Sequence, residues 1–193
     1  MTNKTNINLD LFNQKFKLFE HCKYDEKKID IATTDNNLNY IFDSVGGTSY
    51  NHGLFMLYDV SSSQHFTQRV ETFFTNAKGK ITCFGRDWLN RQFAINRDDT
   101  SIIYQFDVVY NEVIEIPVDL KLFFEDEIIK YSNELLAESF FNNWQGKVKI
   151  DLSCHQCVDY KIPPMLGGKD TIENLEVRDE DVAWEINSQL HNK

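Results

Sequence analysis

No run of apolar residues in the 193-residue chain approaches the ~20 needed to cross a bilayer. The opening stretch, MTNKTNINLD, has none of the apolar core that a secretion signal carries. A cytoplasmic protein with no membrane contact is the expectation. Basic clusters are missing as well. Thirty Asp and Glu outnumber twenty Lys and Arg, for a net charge of −10, and the cations gather nowhere. A nucleic-acid binder needs a basic patch, so that class is disfavoured. A basic protein partner fits better, because opposite fields steer association. The chain also lacks a P-loop, a Gly-x-Gly-x-x-Gly turn, His-Glu-x-x-His, a nucleophile elbow and a recognisable Ser/His/Asp set. The Gly46-Gly47 and Gly167-Gly168 pairs read as backbone turns. No catalytic or cofactor-binding residue is nominated, and a non-enzyme is expected.

Cysteine is scarce, with four in the chain: Cys22, Cys83, Cys154 and Cys157. In a cytoplasmic protein they should be reduced thiols. Cys154 and Cys157 form the one metal-like spacing. Structural zinc wants four ligands, and only His21-Cys22 could supply more if the fold brought it near. Two ordinary thiols are the simpler reading, so no metal is expected. Cys154→Ser should then barely change the melting temperature.

What the chain does have is core material. Hydrophobic residues make up 41% and aromatics 13%, with fifteen Phe among them. Disorder is excluded. Leu9, Phe12, Phe16 and Phe19 are spaced as one face of a first helix. A polar stretch from Lys23 to Asn37 reads as loop. Leu38, Ile41, Phe42 and Val45 mark a second helix, stopped by Gly46-Gly47. Gly53–Val60 is apolar enough for a buried strand. Ser61 and Gln64 resemble a capping box before a helix carrying Phe66, Val70, Phe73 and Phe74. Strands follow at Lys80–Phe84, Arg91–Ile95, Ser101–Val108 and Glu112–Ile116, with a turn at Tyr110-Asn111. Pro117 ends the last. Leu136, Ala137, Phe140, Phe141 and Trp144 predict one buried helix ending at Gly146. The whole reads as α+β: an antiparallel meander packed against several helices.

A last helix is predicted from Asp179, as its N-cap, to Leu190. Val182, Ala183, Ile186 and Leu190 fall on one arc and read as its core stripe. Trp184 then sits on the opposite face among Glu180, Asp181 and Glu185. Two readings stand for it. It is buried against the Tyr160–Pro164 loop, or it anchors a partner inside a ring of charge. Glu180, Asp181, Trp184 and Glu185 are therefore the candidate partner-binding residues.

Three blocks carry a resemblance. They are Gly46–Leu54 (GGTSYNHGL), Phe84–Ala94 (FGRDWLNRQFA) with the strand Glu112–Pro117, and the run Cys157–Trp184 that contains YKIPPMLGG, NLE and a closing Trp. In this order they resemble the bacterial GAD-like proteins and their C-terminal partner domains. Some members of that family are immunity proteins for type VI secretion DNase toxins. The likeness spans roughly residues 38 to 190. The chain departs from the pattern at Asn90 and Asp159, where the family has Gly, at Pro164, where it has Leu, and at Ala183, where it has Tyr. The resemblance implies a single α+β domain over 1–193, or a division into a GAD-like part (1–117) and a helical part (118–193). It brings no catalytic residue with it. It implies that the chain binds and neutralises a cognate toxin, a basic nuclease, in the cell that makes it. The competing expectations are an interaction or scaffold domain with no toxin partner, and an enzyme with an unfamiliar site.

Overall fold

The computed structural model describes residues 7–22 and 35–191. The loop expected from Lys23 onward lies mostly outside these. The order begins with α1 (Asp10–Lys15), β1 (Leu18–His21), α2 (Asn36–Val45), β2 (Thr48–Tyr50), β3 (Phe55–Leu57) and α3 (Val60–Phe73). Four strands follow: β4 (Ile81–Asp87), β5 (Gln92–Asn96), β6 (Ile103–Asp107) and β7 (Glu112–Ile116). Then come α4 (Leu120–Leu122), a π-helical segment (Phe123–Glu127), α5 (Ile128–Lys130), α6 (Ser132–Leu136) and α7 (Glu138–Val148). The chain closes with β8 (Gln156–Tyr160), β9 (Leu175–Asp179) and α8 (Glu180–His191).

Strands β1 to β7 form one sheet in chain order, every neighbouring pair antiparallel. This is the predicted meander, extended by two short strands and by β1. A separate two-stranded sheet joins β8 to β9. The fold is α+β. Phenylalanine fills the layer between the sheet and the helices on one face. Phe55 and Phe93 of the sheet meet Phe12 and Phe123, with ring centroids 6.3 and 5.6 Å apart. Phe84 touches Phe123 and Phe124. On the other face lies α3, whose Ser63 hydroxyl donates to the Cys83 carbonyl. Tyr58, just after β3, stacks on Phe66 of the same helix. A single hydrophobic cluster runs from Ile7 to Trp184 and crosses residue 117 without a break.

Several local expectations change. The first helix stops at Lys15, and Phe19 sits half-exposed on β1. Asn36 and Asn37 start α2 under an Asp35 cap rather than ending a loop. The capping box of α3 is Asp59 with Ser62, two residues earlier than Ser61 and Gln64. The helix expected through Leu136 and Trp144 is broken at Ala137, which adopts φ 50°, and α7 runs past Gly146 to Val148. Phe141 and Trp144 still face the core.

The cysteine expectation is corrected most sharply. Cys22 and Cys154 form a disulfide, with Cα atoms 5.5 Å apart and a separation of 132 in sequence. Cys83 and Cys157 are free and buried, and burial pushes the Cys83 thiol up to about 12 and the Cys157 thiol further. So Cys154 and Cys157 are no pair: one is bonded across the fold and the other lies inside β8. The bond ties the end of β1 to the approach to β8. Chain entropy sets an upper figure of about 5 kcal/mol for so long a loop, and the usual effect of losing such a bond is about 2–4 kcal/mol. Cys154→Ser in the oxidised protein should then lower the melting temperature by roughly 5–15 °C. This replaces the negligible effect expected of a free thiol. An unchanged melting temperature would mean that the bond adds nothing to the fold.

Candidate interaction surface on the C-terminal helix

Helix α8 begins where predicted. The Asp179 carboxylate accepts the N–H groups of Asp181 and Val182, an N-cap. Its buried face, however, is not the predicted stripe. Glu180, Ala183, Trp184 and Asn187 point inward, while Val182 is 49% exposed. The spacing i, i+3, i+4, i+7 is the same, rotated to the face that carries the acid, the aromatic and the amide.

Each polar residue on that face has a partner waiting. Arg86 on β4 is 2% exposed, and its Nε lies 2.6 Å from Glu180 Oε2. Its Nη2 donates to the carbonyls of Cys154 and Gln156, and its Nη1 to that of Asp87. The Glu180 backbone is held from both sides: its N–H donates to the His155 carbonyl and its carbonyl accepts from Asn90 Nδ2. Asn187 donates to Asp159 and to the Ala183 carbonyl. Asp159 also pairs with Arg178 at 3.3 Å. Burial, the largest influence, pushes the Asp159 carboxyl above the ordinary range, against these contacts.

Of the four candidate partner-binding residues, two are thus interior. Glu180 is an internal counter-ion. Trp184 is 2% exposed and forms the floor of a cleft of about 400 Å³ between α3 and α8. It is core, and an anchor role would need the helix to turn out of the protein. The other two are at the surface. Asp181 Oδ1 accepts from His65 Nε2 at 2.7 Å and lies 3.0 Å from Arg69 Nε. Glu185 reaches Arg69 Nη1 at 3.6 Å. The His65 hydrogen bond is the largest influence on Asp181 and holds its carboxyl below the ordinary range. The stability this pair contributes is present above the ordinary Asp pKa and is lost as pH falls through the lowered value. Arg69 and His65 of α3 already cover part of the acidic surface expected on this helix.

The turn Asp87–Arg91 is the second dense polar knot. Asp87 accepts the N–H groups of Leu89 and Arg91, and its Oδ2 lies 2.7 Å from Arg91 Nε and 2.6 Å from Nη2. Full burial pushes the Asp87 carboxyl upward, while Arg91 pulls it down. Arg91 and Gln105 both donate to the Leu135 carbonyl, fastening the turn to α6. Asn90 stands at φ 64°, a left-handed position that Gly takes freely and Asn best among the rest. Trp88 projects between them, fully buried, its indole N–H donating to the Leu136 carbonyl at 2.8 Å.

The loop after β8 is stiff. Asn174 clamps it by accepting from the Ile162 N–H and donating to the Ile162 and Lys169 carbonyls. A Cβ on Gly168 would stand 1.7 Å from the Ile162 carbonyl oxygen, so only Gly fits. Tyr160 donates to Asp170 at 2.8 Å and lies 3.3 Å from the Tyr110 hydroxyl, on the β6–β7 turn. Burial, then these two neighbours, raise the Tyr160 phenol well above its ordinary range. Among the described residues no three His, Cys, Asp or Glu side chains gather as metal ligands would, and no helix is long and apolar enough to cross a membrane.

No protein-family model matches the chain. No curated protein does either. Among solved structures, the crystal structure of Atu4351 from Agrobacterium tumefaciens is similar in fold. Its TM-score is 0.65 at 17% identity, over 94% of this chain and 89% of that one. The likeness holds across nearly the whole length, and it is one of fold.

Proposed function

We propose that this chain is a non-enzymatic binding protein of the immunity type, which holds a cognate basic nuclease toxin and blocks it. One observation carries the reading. The charged and aromatic residues of the blocks that resemble immunity proteins are spent on one another. Arg86 pairs with Glu180, Asp87 with Arg91, Asp159 with Arg178, and Trp88 binds a backbone carbonyl. Groups committed in this way build a frame. A net charge of −10 then favours a cationic partner, and the face that a nuclease offers to DNA is cationic.

On this reading the chain works in the cytoplasm, where such a partner would meet nucleic acid. There the Cys22 and Cys154 side chains would stand as neighbouring thiols and close into the disulfide on oxidation. Affinity purification from the native cell tests the function. The expected result is co-purification of a basic nuclease whose cleavage of DNA is suppressed in the complex. A scaffold domain would bring down partners with no nuclease among them. An enzyme would show turnover on its own.

A further inference from the structure

Strand β7 is an open edge. It pairs with β6 on one side, and among the described residues no strand lies on the other. Every second residue of such an edge directs its N–H and C=O outward, ready to pair with another strand. Glu112, Val113, Ile114 and Glu115 are all exposed, Val113 and Ile114 at 44% and 47%.

A groove runs beside this edge. Val113 and Glu115 stand opposite Phe106 and Tyr104 of β6, so the four share one face of the sheet. They line a cleft of about 460 Å³ whose far wall is Phe73, Phe74 and Lys80. Phe74 packs on Phe106 at 5.1 Å, which gives the cleft an aromatic floor.

We propose that β7 and this groove are a docking surface for an extended segment of a protein partner, added to the sheet as an eighth strand. Its pattern follows from cross-strand pairing. Glu112 and Glu115 each call for a Lys or Arg opposite, and Val113 and Ile114 for apolar side chains. The segment therefore reads basic–apolar–apolar–basic, the same in either direction. The residue opposite Val113 enters the aromatic groove. The residue opposite Ile114 covers the other face.

Charge selects the occupant. A second copy of this chain would bring −10 against −10 and gather four glutamates around one seam. A cationic partner gains from the same residues. The proposal rests on the reading of the chain as a binding protein, but it does not need the partner to be a nuclease.

The test is an NMR titration of the protein with the capped peptide Thr-Lys-Phe-Val-Lys-Thr. The control peptide is Thr-Lys-Pro-Pro-Lys-Thr, equal in charge but unable to add as a strand. The expected result is amide shifts at Glu112–Ile116 and around Phe73 and Tyr104, with none from the control. Glu112→Lys with Glu115→Lys should weaken binding about tenfold or more, as lost charge pairs at an interface do. Asp181→Lys with Glu185→Lys, on α8, should leave it unchanged. Shifts centred on α8, equal binding of the proline control, or indifference to the β7 reversal would overturn the proposal. So would a dimer in sedimentation that the β7 reversal dissolves, since a second copy would then hold the edge. Peptide binding at β7 with no nuclease partner in the cell would sustain this surface and remove the toxin reading. A nuclease partner whose affinity ignores Glu112 and Glu115 would overturn the surface and leave the function standing.

Discussion

Glu180→Ala is expected to cost about 3–5 kcal/mol of folding stability, because it takes from a buried cation the carboxylate that faces it. Arg86 is 2% exposed, and Glu180 Oε2 at 2.6 Å is the carboxylate that faces its Nε. The three backbone carbonyls around its Nη atoms hold the guanidinium in place but carry no net charge. At roughly 2–4 °C per kcal/mol for a chain of this size, the melting temperature should fall by about 10–15 °C. Glu180→Lys should be worse, placing two cations side by side. A triple reversal of Glu180, Asp181 and Glu185 to Lys would unfold the protein rather than probe its surface. Asp181→Lys with Glu185→Lys keeps the fold. The double variant Arg86→Met with Glu180→Leu supplies the control, since swapping a whole buried pair for apolar residues is often neutral. Thermal melts of Glu180→Ala, of Asp181→Lys with Glu185→Lys, and of Arg86→Met with Glu180→Leu decide it. A Glu180→Ala protein as stable as the parent would show that the pair is not desolvated.

Trp88→Ala should cost about 3–5 kcal/mol, the range for large aromatic truncations in cores. The indole is fully buried and meets Phe140, Phe141 and Trp144 with ring centroids 5.3 to 5.7 Å away. Its N–H also satisfies the Leu136 carbonyl, just before the left-handed Ala137 that breaks α6 from α7. Trp88→Phe should recover most of the loss, keeping the packing and giving up one hydrogen bond, worth about 1 kcal/mol. Denaturant unfolding measures both. If Trp88→Ala left stability intact and removed partner binding instead, the FGRDWLNRQFA turn would be an interface and not a frame.

The meander from β4 to β7 is legible in the sequence because each strand is a short β-rich run closed by a turn signal. Asn111 is one such signal, and it does adopt φ 53°. The helix α8 is legible in extent, through its Asp179 cap, but not in rotation. Counting only apolar residues puts Val182 inside. The fold instead buries Glu180 and Asn187, because Arg86 and Asp159 lie ready to receive them. Those partners stand 94 and 28 residues away, and a 3.6-residue period carries no information about them. The same distance hides the disulfide. Cys157 stands three residues from Cys154 and attracts the pairing on paper, while Cys22 arrives from the far end of the chain. Strands β8 and β9 escape notice for a local reason. Cys157, Val158, Asp159 and Tyr160 are all buried, so the alternation that marks a half-exposed strand is absent.

The candidate site shows the same division. The acid-rich surface was legible as composition, and Asp181 and Glu185 are on it. That His65 and Arg69 of α3 would reach across to them was not. The open β7 edge needs a sheet order to be seen at all, since the run Glu112–Ile116 reads the same whether its outer side is covered or bare.

The central claim is that this acidic frame exists to hold and silence a basic nuclease. The most direct measurement titrates the purified protein into the nuclease captured with it from the native cell and follows DNA cleavage. The account predicts that cleavage falls in proportion to added protein and stops at one inhibitor per enzyme, with tighter binding at low salt. Cleavage that continues unchanged at a large excess of this protein would contradict it.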